Sequence, residues 1–360
     1  MSKIVVVGAG KTGRGFIGRL LAENDNEIVF IDTNKELVDS LNAEKSFEIF
    51  FFGDKKDAVT VNNYTAYTWE NAEISDVTTI FVSVGGGNLK AVGASLRELL
   101  NPEKQYSIIT CENAVNPAKT LKEACSDKEN FGFSEAAVFC TTIEESGLNI
   151  MSEDYPYLPC DKLPLKPNFS KIPAIRPTEG FENFLIRKIF TYNSASAIIA
   201  YLGWLKNYTI YSEAANDPEI LALLDENYVE INAALCKKYG YDEADQTEFA
   251  ALSKKKFCDA AIVDTIERNA REPHRKLGKA ERVIGPMLLI FENGGNSRIL
   301  EKTAAAMLMY ENENDTEWMK IKGENTYPQI LEKICGLVPK SELTKRILEH
   351  TLIKKEGQND

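Results

Sequence analysis

The first thirty-two residues constrain the fold more than any other stretch. An apolar run, Lys3–Val7, passes into Gly8-Ala9-Gly10-Lys11-Thr12-Gly13, and Phe16, Ile17, Leu20 and Leu21 then recur at helical spacing over residues 14–23. A second apolar run, Ile28-Val29-Phe30-Ile31, ends on Asp32. Strand, glycine turn, helix, strand and acid in that order predict a dinucleotide-binding unit. Gly8 permits the tight turn, Gly10 lets the backbone approach a pyrophosphate, and Gly13 lets the helix pack on the strand, leaving the helix N-terminus facing the anion. Asp32 lies 19 residues beyond Gly13, where a carboxylate accepts hydrogen bonds from ribose hydroxyls and repels a 2′-phosphate. NAD is expected rather than NADP.

At 360 residues, 44% of them hydrophobic, the chain is long enough for two domains. Its net charge of -12 argues against nucleic acid and anionic membrane as partners, since both require a basic footprint. No apolar run approaches a membrane span and the N-terminus enters a strand directly, so a cytoplasmic protein is expected. Seven cysteines without CxxC spacing read as free thiols of a reducing compartment, and two histidines, His274 and His350, make a His-based metal site unexpected.

The α/β pattern continues. Residues 76–84 form a β-branched run ending in Gly85-Gly86-Gly87, followed by a helical stretch over 89–100, so Val84 and Gly85 are expected to line the same crevice. Tyr106–Thr110 predicts another strand, with Cys111-Glu112-Asn113 just past its carboxyl end, where ligands bind in open parallel sheets. Glu112 and Asn113 are candidates for cofactor contact, although Asn113 also reads as a helix cap. Six prolines between 152 and 177 forbid a long helix and read as connecting structure. Beyond about 182, apolar residues three and four apart predict helices at 184–203, 217–239, 243–270, 279–292, 299–310 and 327–334, while the polar tail 354–360 is expected to fray. The reading is an α/β Rossmann-type N-terminal domain over 1–180 and an all-α C-terminal domain over 181–360.

Arg187-Lys188-Ile189-Phe190-Thr191-Tyr192-Asn193, continued by Ala200-Tyr201-Leu202-Gly203, resembles the signature of the mannitol-1-phosphate 5-dehydrogenase family, which belongs to the polyol-specific long-chain dehydrogenases. Further matches are Gly15-Phe16-Ile17-Gly18, Cys111-Glu112-Asn113, Lys237-Lys238-Tyr239-Gly240-Tyr241-Asp242, Arg275-Lys276-Leu277 and Ala304-Ala305-Ala306-Met307. The resemblance implies a zinc-independent hydride transfer with NAD, in which Lys188 is the acid/base and Asn193 hydrogen-bonds the same substrate oxygen. An amine in a cleft loses hydration and its pKa falls toward neutrality, where it can exchange a proton with an alcohol. Without the resemblance, Arg187-Lys188 reads as a solvated helix face. On an ideal helix Lys188, Ser196 and Asn193 fall at about 0°, 80° and 140°.

Three positions depart from the family. Ser196 stands where it has a histidine, and a hydroxyl cannot carry the imidazole's charge. Phe139-Cys140 replaces an Asp-Arg pair, and Lys256 replaces an arginine, losing the planar fork. Between 254 and 282, nine Lys or Arg face five acids, a balance of +4 that suits a phosphate-bearing substrate. By resemblance Lys276 faces the polyol chain. Arg268, Arg271, Arg275 and Lys256 are candidate substrate contacts, with ordinary i,i+4 pairing accounting for part of the set. His274 could stand in for the absent imidazole.

The resulting expectation is an NAD-dependent enzyme interconverting mannitol 1-phosphate and fructose 6-phosphate, as a monomer or weak homo-oligomer. Alternatives are a relative acting on another polyol, uronate or sugar phosphate, or a catalytically weak NAD(H)-binding protein.

Overall fold

A computed structural model describes residues 2–54, 56–74, 76–114 and 116–356. Its contacts divide into two compact units, the first ending at Phe181 and the second beginning at Glu182.

In the first unit, β1 (Lys3–Val7) leads through the glycine turn into a π-helical turn (Gly13–Gly18) and α1 (Arg19–Ala22), then β2 (Glu27–Ile31) and α2 (Lys35–Glu44). Next come β3 (Phe47–Phe51), β4 (Val59–Val61), β5 (Tyr64–Tyr67), β6 (Thr79–Val82), α3 (Leu89–Leu99), β7 (Tyr106–Thr110), α4 (Pro117–Cys125) and β8 (Phe131–Glu135). The main sheet runs β5-β2-β1-β6-β7-β8, parallel throughout, with Val5 opposite Val29 on one side and Ile80 on the other. β1 and β2 are apolar and buried at almost every position, as expected of strands covered on both faces. Strand order reverses between β1 and β6, so both glycine turns leave the sheet at its switch point.

The proline-rich stretch is more than a connection. β9 (Thr142–Glu144) and β10 (Ile150–Ser152) extend a small sheet β4-β3-β10-β9, and β11 (Leu158–Asp161) pairs in parallel with β12 (Ile175–Thr178). The stretch is pinned to side chains of the main sheet: the Lys166 N–H donates to Ser107 Oγ and the Ser170 N–H to Thr79 Oγ1. Proline forbids helix but not a short two-stranded pair, so the composition excluded one structure without indicating the other.

The second unit is helical: α5 (Phe181–Lys188), a π-helical turn (Ile189–Asn193), α6 (Ser194–Leu205), α7 (Tyr211–Ala215), α8 (Pro218–Tyr239), α9 (Glu243–Phe257), α10 (Ile266–Ala270), α11 (Pro273–Lys276), α12 (Ile284–Glu292), α13 (Arg298–Met309), α14 (Thr316–Glu324), α15 (Tyr327–Lys333) and α16 (Glu342–Glu356). α6 is the axis of this unit and packs against α7, α8, α10 and α13. The single helix expected over 243–270 is interrupted after Phe257. It restarts at Ile266, where Thr265 caps the new N-terminus by accepting the Arg268 N–H. The helix expected from 279 begins only at Ile284. The tail expected to fray stays helical to Glu356, and 357–360 lie outside the described residues. Among the described residues no helix is long and apolar enough to cross a membrane.

Candidate functional site

Each unit carries one set of candidate site residues. In the first, Gly8 has φ +93°, and a Cβ there would lie 2.1 Å from the Ser83 carbonyl oxygen; a Cβ on Gly13 would lie 1.8 Å from the Gly8 carbonyl oxygen. Both must be glycine for the turn to close. Around Gly10 the opposite holds: no atom lies within 4 Å of its Cβ position, leaving the open backbone that a pyrophosphate would need. Lys11 is exposed and Thr12 partly so at the same turn. Asp32 follows β2 and is oriented by two backbone donors, the Ala9 N–H to Oδ2 at 2.7 Å and the Asn34 N–H to Oδ1 at 2.8 Å. The carboxylate expected to read the ribose therefore also ties the glycine turn to the second strand.

The second glycine turn is organised by Glu112. Its Oε1 accepts the N–H groups of Val84 and Gly85 at 2.6 and 2.9 Å. Burial pushes its pKa up, opposed by those two bonds. This carboxylate supports the turn and leaves the Val84 and Gly85 N–H groups engaged. Asn113 is exposed and does not cap α4, whose N-cap is Asn116. Phe139 stacks on Tyr155 at 5.3 Å, and Cys140 Sγ sits 3.3 Å from Ser152 Oγ, so these two positions that depart from the family fill the interior of the unit.

In the second unit Arg187 and Lys188 are both buried, which removes the solvated-face reading. Their roles differ. Arg187 donates to Gln246 Oε1 and the Asp245 carbonyl, pairs with the Asp245 carboxylate and lies over Phe249 and Tyr241, so it anchors α5 to α9. Lys188 is 8% exposed, and its pKa is lowered to about 7, first by burial and then by the nearby cations Lys256 and Arg282. Such an amine exchanges protons near neutral pH.

The π turn after Lys188 changes the face that a straight helix would give. The Ser194 N–H donates to the Ile189 carbonyl, five residues back. One inserted residue sets later positions back by about 100°, so Asn193 moves to about 40° and Ser196 to about −20° from Lys188. On that arithmetic the three positions fall within about 60° of one another around the helix. Within residues 190–203, Asn193 and Ser196 are the two positions that are not buried. Beside Ser196 lies the buried hydroxyl of Tyr211.

The basic stretch separates into two groups. Arg268 pairs with Asp264 at 2.9 Å and Arg275 with Glu272 at 2.7 Å, both on the surface, and Arg271 is exposed. These three candidates are surface charges, and the i,i+4 geometry explains the first. His274 faces Glu317 on α14 at 3.4 Å, away from the imidazole role. Lys276 is 5% exposed and donates to the Asn269 carbonyl at 2.7 Å. Its pKa is lowered to about 7 by burial, then by Arg282 and Arg275. Arg282, which the sequence reading did not single out, acts on both lysines; it sits in the irregular segment before α12, where no periodicity marks it.

A family model described as the mannitol dehydrogenase Rossmann domain matches residues 2–143, and one described as the mannitol dehydrogenase C-terminal domain matches 181–353. A mannitol-1-phosphate 5-dehydrogenase of Thermoanaerobacter pseudethanolicus is 30% identical over 97% of this chain and 97% of that protein. The chain belongs to the mannitol dehydrogenase family. Another mannitol-1-phosphate 5-dehydrogenase, of Lactococcus lactis subsp. cremoris, is 30% identical with both chains fully covered. Two solved structures share the fold at 15% identity and TM-score 0.74: Pseudomonas fluorescens mannitol 2-dehydrogenase in ternary complex with NAD and D-mannitol, covering 99% of this chain and 92% of that one, and a D-sorbitol dehydrogenase in substrate-free form, covering 98% and 93%. As a mannitol dehydrogenase family member the chain is an oxidoreductase, with the Rossmann and helical domains of that family in the same order.

Proposed function

We propose that this family member is an NAD-dependent oxidoreductase that interconverts mannitol 1-phosphate and fructose 6-phosphate. The observation that carries the reading is Lys188, a buried amine whose pKa is lowered to about 7, one π turn before the partly exposed Asn193 and Ser196. Asp32 and the open backbone at Gly10 fit a dinucleotide with free ribose hydroxyls. When bound, NAD accepts or returns the hydride of the carbinol carbon. In the oxidation direction the neutral Lys188 amine takes the proton of the alcohol. In the reduction direction the Lys188 ammonium returns it to the oxygen of the former carbonyl. The Asn193 amide N–H donates to that oxygen and fixes it against Lys188, and the Ser196 hydroxyl supplies a second neutral donor.

The phosphorylated substrate is favoured by the names of the full-length relatives and by the buried Lys276 and the half-buried Arg282. Seven free thiols fit a reducing, cytoplasmic setting, the charge of -12 fits no nucleic-acid partner, and a monomer or weak homo-oligomer is proposed. A second reading, slow catalysis or another polyol, uronate or sugar phosphate, is favoured by Ser196, which offers no imidazolium charge. The test is NADH oxidation by purified protein with fructose 6-phosphate, other ketose phosphates, fructose and uronates, with NADPH as control. Selective turnover of fructose 6-phosphate supports the first reading. Turnover of another compound, or none despite NADH binding, moves the assignment to the second.

A further inference from the structure

α6 is used on more than the face that carries Ser196. At 100° per residue, Leu205 lies about 180° around the helix from Ser196, and Leu202 about 120°. On that far side is a cavity of about 250 Å³. Its walls are apolar: Leu202 and Leu205 from α6, Ile220 and Leu223 from α8, and Met309 from α13. α6 packs on α8 and α13, and α16 packs on α13, so the walls belong to the packed helices of this unit rather than to a loop. Leu202 and Ile220 are buried, whereas Leu205, Leu223 and Met309 are partly exposed, so the cavity is open to solvent. The polar groups around it are unequal. Lys206 is neutralised by Asp217 at 2.9 Å and Glu219 at 2.8 Å. Lys302 on α13 and His350 on α16 are not: among the described residues neither side chain has a hydrogen-bond or ion-pair partner. Glu301, the acid next to Lys302, already accepts Ser297 Oγ at 2.6 Å and pairs with Arg346.

An apolar cavity with one uncommitted ammonium and one imidazole fits an occupant that is apolar in body and anionic at one end. Its hydrocarbon takes the walls out of water, and its anion meets Lys302. Volume sets the size. A cavity of about 150 Å³ takes a benzene ring, so this one takes a ring with a short arm or an aliphatic chain of similar bulk. We infer that the helical unit carries a second small-molecule site, between α6, α8, α13 and α16, for a monocarboxylate with a medium-length hydrocarbon body. The carboxylate pairs with Lys302 and accepts the His350 N–H. This site is independent of the polyol-phosphate reading, because none of its lining residues belongs to the Lys188, Asn193 and Ser196 set.

The test is calorimetric titration of the full chain with octanoate, with acetate and octylammonium as controls. One octanoate per chain is expected, with a Kd below about 1 mM. Lys302→Gln should weaken it about tenfold by removing the charge-assisted bond, and Leu223→Trp should abolish it by filling the cavity, both variants being checked for folding by thermal melting. Acetate lacks the hydrocarbon and octylammonium opposes Lys302, so neither should bind. Octanoate affinity should be unchanged in Lys188→Ala and at saturating NADH. Binding that ignores either cavity substitution, that NADH competes away, or that is lost in Lys188→Ala overturns the inference. Absent binding, or binding weaker than about 1 mM, overturns it as well, the octanoate then being an adventitious additive only. If sedimentation shows instead a self-association that Leu223→Trp breaks, the occupant is a second copy of the chain and the inference falls. Should Leu223→Trp fail to fold, Lys302→Glu carries the test: a preference reversed to octylammonium upholds the site, and an unchanged preference overturns it.

Discussion

The two units build their sites by opposite means. In the first, one continuous stretch from Lys3 to Asp32 supplies the turn, the open backbone and the orienting carboxylate, and two of its positions matter because they lack a side chain. In the second, Lys188, Lys256, Lys276 and Arg282 come from the end of α5, from α9, from α11 and from an irregular segment, and each matters for the charge its side chain carries. A dinucleotide phosphate is recognised by backbone N–H groups, which any sequence owns once the chain turns correctly. A shifted amine requires several distant groups to be buried together.

The largest test of this contrast is Lys188→Ala. Loss of a positioned acid/base lowers kcat by about 10²–10⁴-fold, and dinucleotide affinity measured by fluorescence titration should stay within about twofold of the parent. If both fall together, the two sites are not separable. Gly13→Ala probes the other half: with a Cβ 1.8 Å from the Gly8 carbonyl oxygen the turn must open, so NADH affinity should drop about tenfold or more and stability by about 1–3 kcal/mol. Asp32→Ala comes next. It removes the ribose-facing carboxylate and the acceptor of the Ala9 N–H, so the ratio of NADH to NADPH turnover should shrink about tenfold. An unchanged ratio places cofactor choice elsewhere.

A smaller effect is read in stability. Lys188 and Lys276 release their protons near pH 7 in the native chain but near 10.5 when unfolded. Between those values the unfolded chain holds protons that the native chain has lost, so these lysines make stability rise with pH, by about 1.4 kcal/mol per pH unit for each. Above about pH 9 the buried thiols oppose this. Cys160 and Cys335 are pushed up to about 12 by burial, so the unfolded chain ionises them first and stability falls. Urea denaturation should show the rise between about pH 7 and 9 and its reduction in Lys188→Met; equal slopes would mean that the amine is not desolvated. The smallest effect is Arg268→Gln, a surface pair with Asp264, expected to change stability by less than about 0.5 kcal/mol and KM by less than about twofold.

The first site was legible because its determinants are local. Glycines at fixed offsets, an apolar run on each side and an acid after the second run are all visible without knowing what packs on what. The second was legible only in part. Lys188, Asn193, Ser196 and Lys276 came from likeness to a family, whereas Arg268, Arg271 and Arg275 were drawn in by a charge count that cannot tell a neutralised surface arginine from a buried one. Arg282 lay inside that count and was passed over, because charge alone does not show which cations act on Lys188.

By itself, then, the sequence determined the parallel α/β unit, the helical second unit and the position of the dinucleotide turn, since hydrophobic period and glycine placement act over a few residues. Tertiary structure decided the rest. It folded the proline-rich stretch onto the sheet, placed a π turn between Lys188 and Ser194, and left Arg268 and Arg275 in surface pairs while burying Lys188 and Lys276. Burial and like charge from remote elements set the pKa of Lys188, and no local pattern encodes either.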